Sequence, residues 1–207
     1  MLIRSVMEFI LKSGVLDRRR RLILSETFVQ YESGDLIGQE FTTLLKDDFA
    51  DFKHISESIE WYKIPVGRRF MICLKDKNGK ELTIKFARYF SFSRIYDEIY
   101  SELVDAVWEH YFGPLVQNRL DSFYNGTPLS YHGCILNESG IRLSGQGDFM
   151  IDWKNVALKE YYSYFAIFDR ISPQKHRRVS YYEYESELLC CAVKSILKKI
   201  SQFDDVK

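Results

Sequence analysis

The stretch Arg68–Phe112, RRFMICLKDKNGKELTIKFARYFSFSRIYDEIYSELVDAVWEHYF, decides the fold. Phe70, Ile72 and Leu74 alternate with Met71 and Cys73, and after Asp76-Lys77-Asn78-Gly79 the alternation resumes at Leu82, Ile84 and Phe86. Period-two runs joined at Asn-Gly predict a β-hairpin with a type I′ turn, whose two central residues both need positive φ. Ser91 or Ser93 then offers a cap for a helix in which Ile95, Ile99, Leu103 and Val107 recur every four residues, while Asp97, Glu98, Glu102 and Glu109 mark the other side. A hairpin that runs so directly into an amphipathic helix should pack against it.

Toward the N-terminus, Arg4, Glu8 and Lys12 interrupt an apolar segment at four-residue spacing, which predicts an amphipathic helix over residues 1–16. Arg18-Arg19-Arg20-Arg21 then runs into Leu22-Ile23-Leu24 and Phe28-Val29, a first strand bent around Ser25-Glu26-Thr27. Leu36 to Leu45 reads as a second strand, Lys46 to His54 as a short helix or an irregular strand, and Ile59 to Ile64 as extended before Pro65 and Gly67.

Toward the C-terminus, Gly113-Pro114 interrupts the helix, although Leu115 to Phe123 could add further turns. Asn125-Gly126-Thr127-Pro128 is the clearest break and marks a domain boundary. Strands follow at Leu129 to Leu136, Ile141 to Leu143, Phe149 to Trp153, Leu158 to Asp169 and Val179 to Tyr184. Leu189, Val193, Ile196, Leu197 and Ile200 then close the chain at helical spacing.

The two halves share one plan, short strands closed by an amphipathic helix, which is an internal duplication of architecture. The fold class is α+β: two half-barrels of antiparallel strands, each closed by a C-terminal helix. The expected divisions are an N-terminal helical segment 1–16, a first domain 17–123 and a second 128–201.

Ile151-Asp152-Trp153-Lys154-Asn155-Val156, with Gly140-Ile141 opening an earlier strand and a closing helix, resembles the bacterial pleckstrin-homology-like (PH-like) domains. The first half is similar to them through Asp76 to Gly79 and Glu81 to Phe86. This resemblance implies a tandem PH-like, β-barrel-type protein that binds a peptide, a lipid or a partner domain, and it brings no catalytic motif.

Composition sets limits on function. Lys plus Arg and Asp plus Glu balance at 29 each over 207 residues, so no overall field draws in nucleic acid. No apolar run approaches the roughly 18 residues of a membrane span. Cys73, Cys134, Cys190 and Cys191 lack CxxC spacing and read as core thiols of a reduced, cytoplasmic compartment. Asn125-Gly126-Thr127 and Asn137-Glu138-Ser139 match the glycosylation pattern without a secretory signal to give it meaning.

Three basic clusters are candidate anion or partner sites: Arg18, Arg19, Arg20 and Arg21; Arg68 and Arg69; and Lys175, Arg177 and Arg178. Solvated strand entries are the competing reading, and only convergence in space would favour peripheral contact with an anionic membrane. Tyr161, Tyr162, Tyr164, Tyr181 and Tyr182 form the second candidate set. They suit a protein interface or self-association, or they pave the gap between the two halves. Asp48, Asp51 and His54 would share a face only on a helix, and His132 with Cys134 lacks a second ligand pair, so no metal or other cofactor is expected. The functional expectation is a non-enzymatic module that engages a protein partner. Binding of anionic lipid or phosphate is the alternative, and a hydrolase without a recognisable motif stands behind it.

Overall fold

The computed structural model describes residues 6–14, 16–33, 41–90, 94–144 and 148–204. Two compact units are defined, Met1–Pro114 and Leu115–Lys207. The protein is α+β, and every strand pairing is antiparallel.

The first unit begins with a four-strand meander, β1 (Met7–Lys12), β2 (Arg19–Leu24), β3 (Phe28–Glu32) and β4 (Phe41–Leu45). Residues 7–12 are therefore a strand, and the expected N-terminal helix is corrected. A spacing of four is also a multiple of two, so Glu8 and Lys12 share one face of a strand as readily as one face of a helix. Burial decides between them, because Phe9 and Leu11 are buried while Ile10 is exposed. Arg4 lies outside the described residues. The expected bend at Ser25-Glu26-Thr27 is a tight reversal between β2 and β3, in which the Ser25 hydroxyl accepts the Thr27 and Phe28 amides at 3.2 and 3.1 Å. Of the second expected strand, residues 36–40 lie outside the described residues and Phe41–Leu45 is strand.

A 3₁₀ turn at Lys46–Asp48 leads into a three-strand meander, β5 (Phe49–Trp61), β6 (Ile64–Asp76) and β7 (Glu81–Tyr89). The β6–β7 hairpin is where its alternation placed it, but its turn is not type I′. Only Gly79 takes a positive φ, +84°, while Asp76 accepts the amides of Asn78 and Lys80 at 2.9 and 2.8 Å. The Asp76 carboxylate organises a longer loop than Asn-Gly alone would form. The sheets run as open meanders and do not close into barrels, which corrects the β-barrel expectation.

The helical run starts with α1 (Ile95–Val107), continues through a π-helical turn at Trp108–Phe112 and ends with α2 (Gly113–Tyr124). Ser91 and Ser93 lie outside the described residues, and Arg94 occupies the N-cap without a side-chain capping bond. Gly113-Pro114 does not stop the helix. A proline lacks the amide and its ring crowds the preceding turn, and the wider π turn, closed by the Gly113 amide on Trp108 O, makes room for it. Gly113 is required there, since a Cβ would lie 2.9 Å from Trp108 O. The run ends where Gly126 takes φ +88° and the Thr127 amide reaches Ser122 O at 3.0 Å.

The α1 side of the β5–β7 sheet carries Phe52, Phe70, Ile72, Leu74, Ile84 and Phe86, all buried, with Leu103, Val107 and Phe112 from the helical run. Phe112 meets Phe52 at 4.8 Å and Trp108 at 4.7 Å between ring centroids. Half-buried His54 stacks on Phe52 at 5.5 Å and shares a 2.7 Å hydrogen bond with Tyr100. Burial lowers the His54 pKa below its ordinary 6.5, so the ring stays neutral in the fold longer than in the unfolded chain. Between 6.5 and that lower value the unfolded chain binds more protons, and stability falls as pH falls through the window. An NMR titration of the His54 ring should give a midpoint below 6.5, and a midpoint at or above it would contradict this packing.

The second unit repeats the order. A meander of β8 (Leu129–Tyr131), β9 (Cys134–Asn137), β10 (Gly140–Leu143) and β11 (Phe149–Asp152) leads through a 3₁₀ turn at Trp153–Asn155. A second meander of β12 (Val156–Glu160), β13 (Tyr164–Asp169) and β14 (His176–Ser180) precedes α3 (Ser186–Asp204). The single strand expected over Leu129 to Leu136 is two strands, reversed at His132 (φ 48°) and Gly133 (φ 68°). Leu158 to Asp169 is likewise split between β12 and β13. The core holds Leu136, Ile141, Val156, Phe165 and Ile167 with Leu189 and Val193 of α3. Both units thus follow one plan: four strands, a 3₁₀ turn, three strands and a helix.

Candidate functional site

Strands β5 and β6 extend past β7, whose pairing with β6 reaches only Gly67. The projecting tip closes with the pair Trp61↔Ile64 around Tyr62 (φ 49°) and Lys63 (φ 66°), a two-residue reversal with both central residues at positive φ. Neither residue is the Gly, Asn or Asp that favours this turn, and backbone strain of this kind costs on the order of 1–3 kcal/mol per residue. The tip faces solvent: Trp61 is 62%, Tyr62 87% and Ile64 63% exposed. Phe90, 73% exposed and also at positive φ (49°), is held beside it by its amide, which reaches Val66 O at 2.8 Å.

Beside the tip lies an open groove of about 820 Å³ whose lining among the described residues includes Arg68, Arg88 and Arg94. Trp61, Ile64, Pro65, Val66 and Phe90 supply its apolar surface. Arg68 and Arg88 face each other directly across β6 and β7, continuing the column of Phe70 and Phe86. Like charges so placed repel, and Asp97 in the first turn of α1 relieves this by meeting Arg68 at 3.2 Å and Arg88 at 3.3 Å. That turn is also where a helix favours a carboxylate. Arg94 is exposed at the N-cap and makes no side-chain ion pair among the described residues.

The other basic candidates are engaged differently. Arg18 binds Glu32 at 2.8 Å, Arg20 meets Asp17 at 3.5 Å and Arg21 meets Glu8 at 3.1 Å, while Arg19 is exposed. The Ser13 hydroxyl, and then Arg20, holds the Asp17 carboxyl below its ordinary range. Charges that read as a patch in sequence are thus largely matched within their own sheet. Arg68 and Arg69 lie within β6 rather than ahead of it, so they point to opposite faces, and Arg69 stands opposite Glu57. In the second unit Arg177 donates to Ser144 O and packs against Gly133, where a Cβ would lie 3.4 Å from the guanidinium. Arg178 lies 5.8 Å from the Tyr164 ring, and Lys175 sits in the turn before β14.

Tyr161 and Tyr162 occupy the turn between β12 and β13, the same hairpin of the second plan, and Tyr162 is 91% exposed. Tyr161 stacks on Tyr164 at 4.5 Å, with Lys159 5.3 Å from its ring. The last expected strand ends at Ser180, so Tyr181 and Tyr182 belong to the turn before α3. Tyr181 donates to Glu160 at 2.9 Å and burial pushes its phenol up, whereas Tyr182 is exposed.

The weaker candidates do not assemble. Asp51 and His54 fall on opposite faces of β5. His132 meets Tyr184 O and, at 3.2 Å, Glu183, while Cys134 is buried with its thiol pushed up to about 11. Burial also raises Cys190 to about 11 and Cys191 to about 12, which suppresses thiolate chemistry at neutral pH. Among the described residues no group of three His, Cys, Asp or Glu side chains is placed to hold a metal ion, and no helix is long and apolar enough to cross a membrane. The chain matches no protein-family model, no curated protein and no solved structure.

Sequence reading passed over Trp61, Ile64, Phe90, Arg88 and Arg94. The signal in the sequence is Trp61-Tyr62-Lys63-Ile64-Pro65, an aromatic pair at a strand end.

Proposed function

We propose that the protein is a non-enzymatic binding module built from two PH-like units, and that it engages a protein partner through aromatic hairpin tips. One observation carries this reading: the same hairpin of each unit, β5–β6 and β12–β13, ends in an exposed aromatic pair, Trp61-Tyr62 and Tyr161-Tyr162. Aromatic side chains offer large contact area at small entropic cost and dominate binding hot spots. The order of four strands, three strands and a helix in each unit supports the PH-like assignment. The ion pairs of Arg18, Arg20 and Arg21 weaken the anionic-lipid alternative.

The test is capture from source lysate by the full chain, compared with a variant carrying Trp61→Ser, Tyr62→Ser, Tyr161→Ser and Tyr162→Ser. All four positions are turn or strand-end residues, so the melting curve should shift little. Specific partners should drop at least about tenfold with the variant, a hot-spot loss of roughly 1.4 kcal/mol or more. Equal capture by both proteins removes the tips as the recognition surface.

A further inference from the structure

We propose that the outer face of the β12–β14 sheet binds single-stranded nucleic acid, with one base over Ala166 and the phosphates on either side of it on Lys159 and Arg178. This goes beyond the binding-module reading and stands independently of protein recognition at the hairpin tips.

Strand β13 alternates Phe165 and Ile167, buried in the core, with half-buried Tyr164, Ala166 and Phe168 on the outer face. The register places Lys159 of β12 and Arg178 of β14 opposite Ala166, one on each side. With neighbouring strands about 4.8 Å apart, the two cations flank this small residue from backbones roughly 10 Å from each other. Along β13, Tyr164 and Phe168 bound the same floor two residues away in either direction. The result is a shallow cradle with a cation on two sides and an aromatic ring on the other two.

Lys159 and Arg178 are exposed, and neither meets a carboxylate among the described residues. Their contacts are with rings instead. Lys159 lies 5.3 Å from Tyr161 and Arg178 lies 5.8 Å from Tyr164, while the two tyrosines stack at 4.5 Å with their planes 14° apart. Glu160, the acid next in sequence, faces the core side with Phe165 and is held by Lys194 at 2.6 Å. None of the positions that the three strands contribute to the outer face is acidic. The arginines of β2 differ in this respect, since Glu32, Asp17 and Glu8 answer them within their own unit.

Charge selects an anion, and the rings select its kind. A single strand carries one phosphate and one flat base per residue, which matches cations set between aromatic side chains on an open sheet. An acidic peptide brings carboxylates without a planar group at every step. A bilayer is entered by protruding apolar side chains, whereas Tyr164 and Phe168 are half-buried in the face. Lysines and aspartates, arginines and glutamates balance over the whole chain, so no long-range field assists and the affinity comes from these contacts.

The test titrates the full chain into a fluorescein-labelled random-sequence dodecamer, as single-stranded RNA and as single-stranded DNA, and follows anisotropy. Affinity should fall with salt at a log–log slope of about −1.4, from two phosphate contacts at about 0.7 each on a single strand. Arg178→Glu, Lys159→Glu and Ala166→Val should each weaken binding at least about fivefold. Ala166→Val leaves every charge in place and suits a strand, so lost binding with an unchanged melting curve reports a filled cradle rather than a folding defect.

No binding of either dodecamer, equal affinity for the parent and any of the three variants, or equally tight binding of a blunt duplex overturns the proposal. Poly-glutamate that displaces the dodecamer as well as unlabelled dodecamer does would make the face a site for acidic peptides and overturn it too. Phosphatidylserine-containing vesicles that sediment the parent but not Arg178→Glu, with no dodecamer bound, would assign the face to a membrane surface with the same result.

Discussion

Phe112→Ala is expected to destabilise the first unit by about 3–5 kcal/mol, the range for removing a large aromatic side chain from a packed core. The ring has no exposed surface and sits edge-on to Phe52 at 4.8 Å and to Trp108 at 4.7 Å. Its neighbours cannot close the void easily, because Phe52 is fixed on β5 and Trp108 belongs to the same π turn. That turn is constrained in its own right by Pro114 and by the Gly113 amide on Trp108 O. Domains have only about 5–15 kcal/mol in total, so the variant should lose a large share of its unfolding free energy. The effect is read from the urea midpoint of the transition that reports on Trp108 and Phe52, at unchanged slope. A loss under about 1 kcal/mol would mean that the Phe52–Trp108–Phe112 cluster is not packed as described.

Gly67→Ala should also destabilise the first unit, by less, and its consequence reaches the groove. A Cβ at Gly67 would lie 2.2 Å from Arg88 O, a backbone atom of the paired strand, so no side-chain rotation can relieve the clash. Either β6 parts from β7 at this rung or the sheet bends, and overpacking of this kind costs typically 1–3 kcal/mol. The adjacent rung is Arg68↔Arg88, and the next group beyond is the Phe90 amide on Val66 O. Hydrogen exchange should therefore speed up at Phe90 and Tyr89 while Ile72 and Ile84, deeper in the sheet, stay protected. An alanine variant with the parent's melting temperature and exchange pattern would show that β6 and β7 do not approach so closely.

The turns at Asn78-Gly79 and Tyr62-Lys63 both depart from local turn preference, each for a reason set by its neighbours. Asn78-Gly79 carries the strongest turn signal in the chain, yet Asp76 draws two amides onto its carboxylate and imposes a longer loop. Tyr62-Lys63 carries no such signal and still forms the two-residue reversal, because the Trp61↔Ile64 register leaves only two residues to turn in. A turn propensity of a few tenths to about one kcal/mol yields to the register of two strands each 13 residues long.

The sequence by itself determined the α+β class, the β6–β7 hairpin, α1 and α3, and the repetition of one plan in two halves. Each rests on a period of two or of about 3.6 sustained over enough residues that only one element satisfies it. Tertiary structure decided the rest. Residues 7–12 became a strand because β2 offered a partner and buried Phe9 and Leu11, a choice that four-residue spacing leaves open. The same holds for function: the arginines of β2 found Glu32, Asp17 and Glu8, while Arg68, Arg88 and Arg94, dispersed in sequence, came together beside Trp61 and Phe90. A charge run in sequence says nothing of which acids will face it, and a groove lined from β5, β6, β7 and the start of α1 exists only once the strands have paired and the helix has docked.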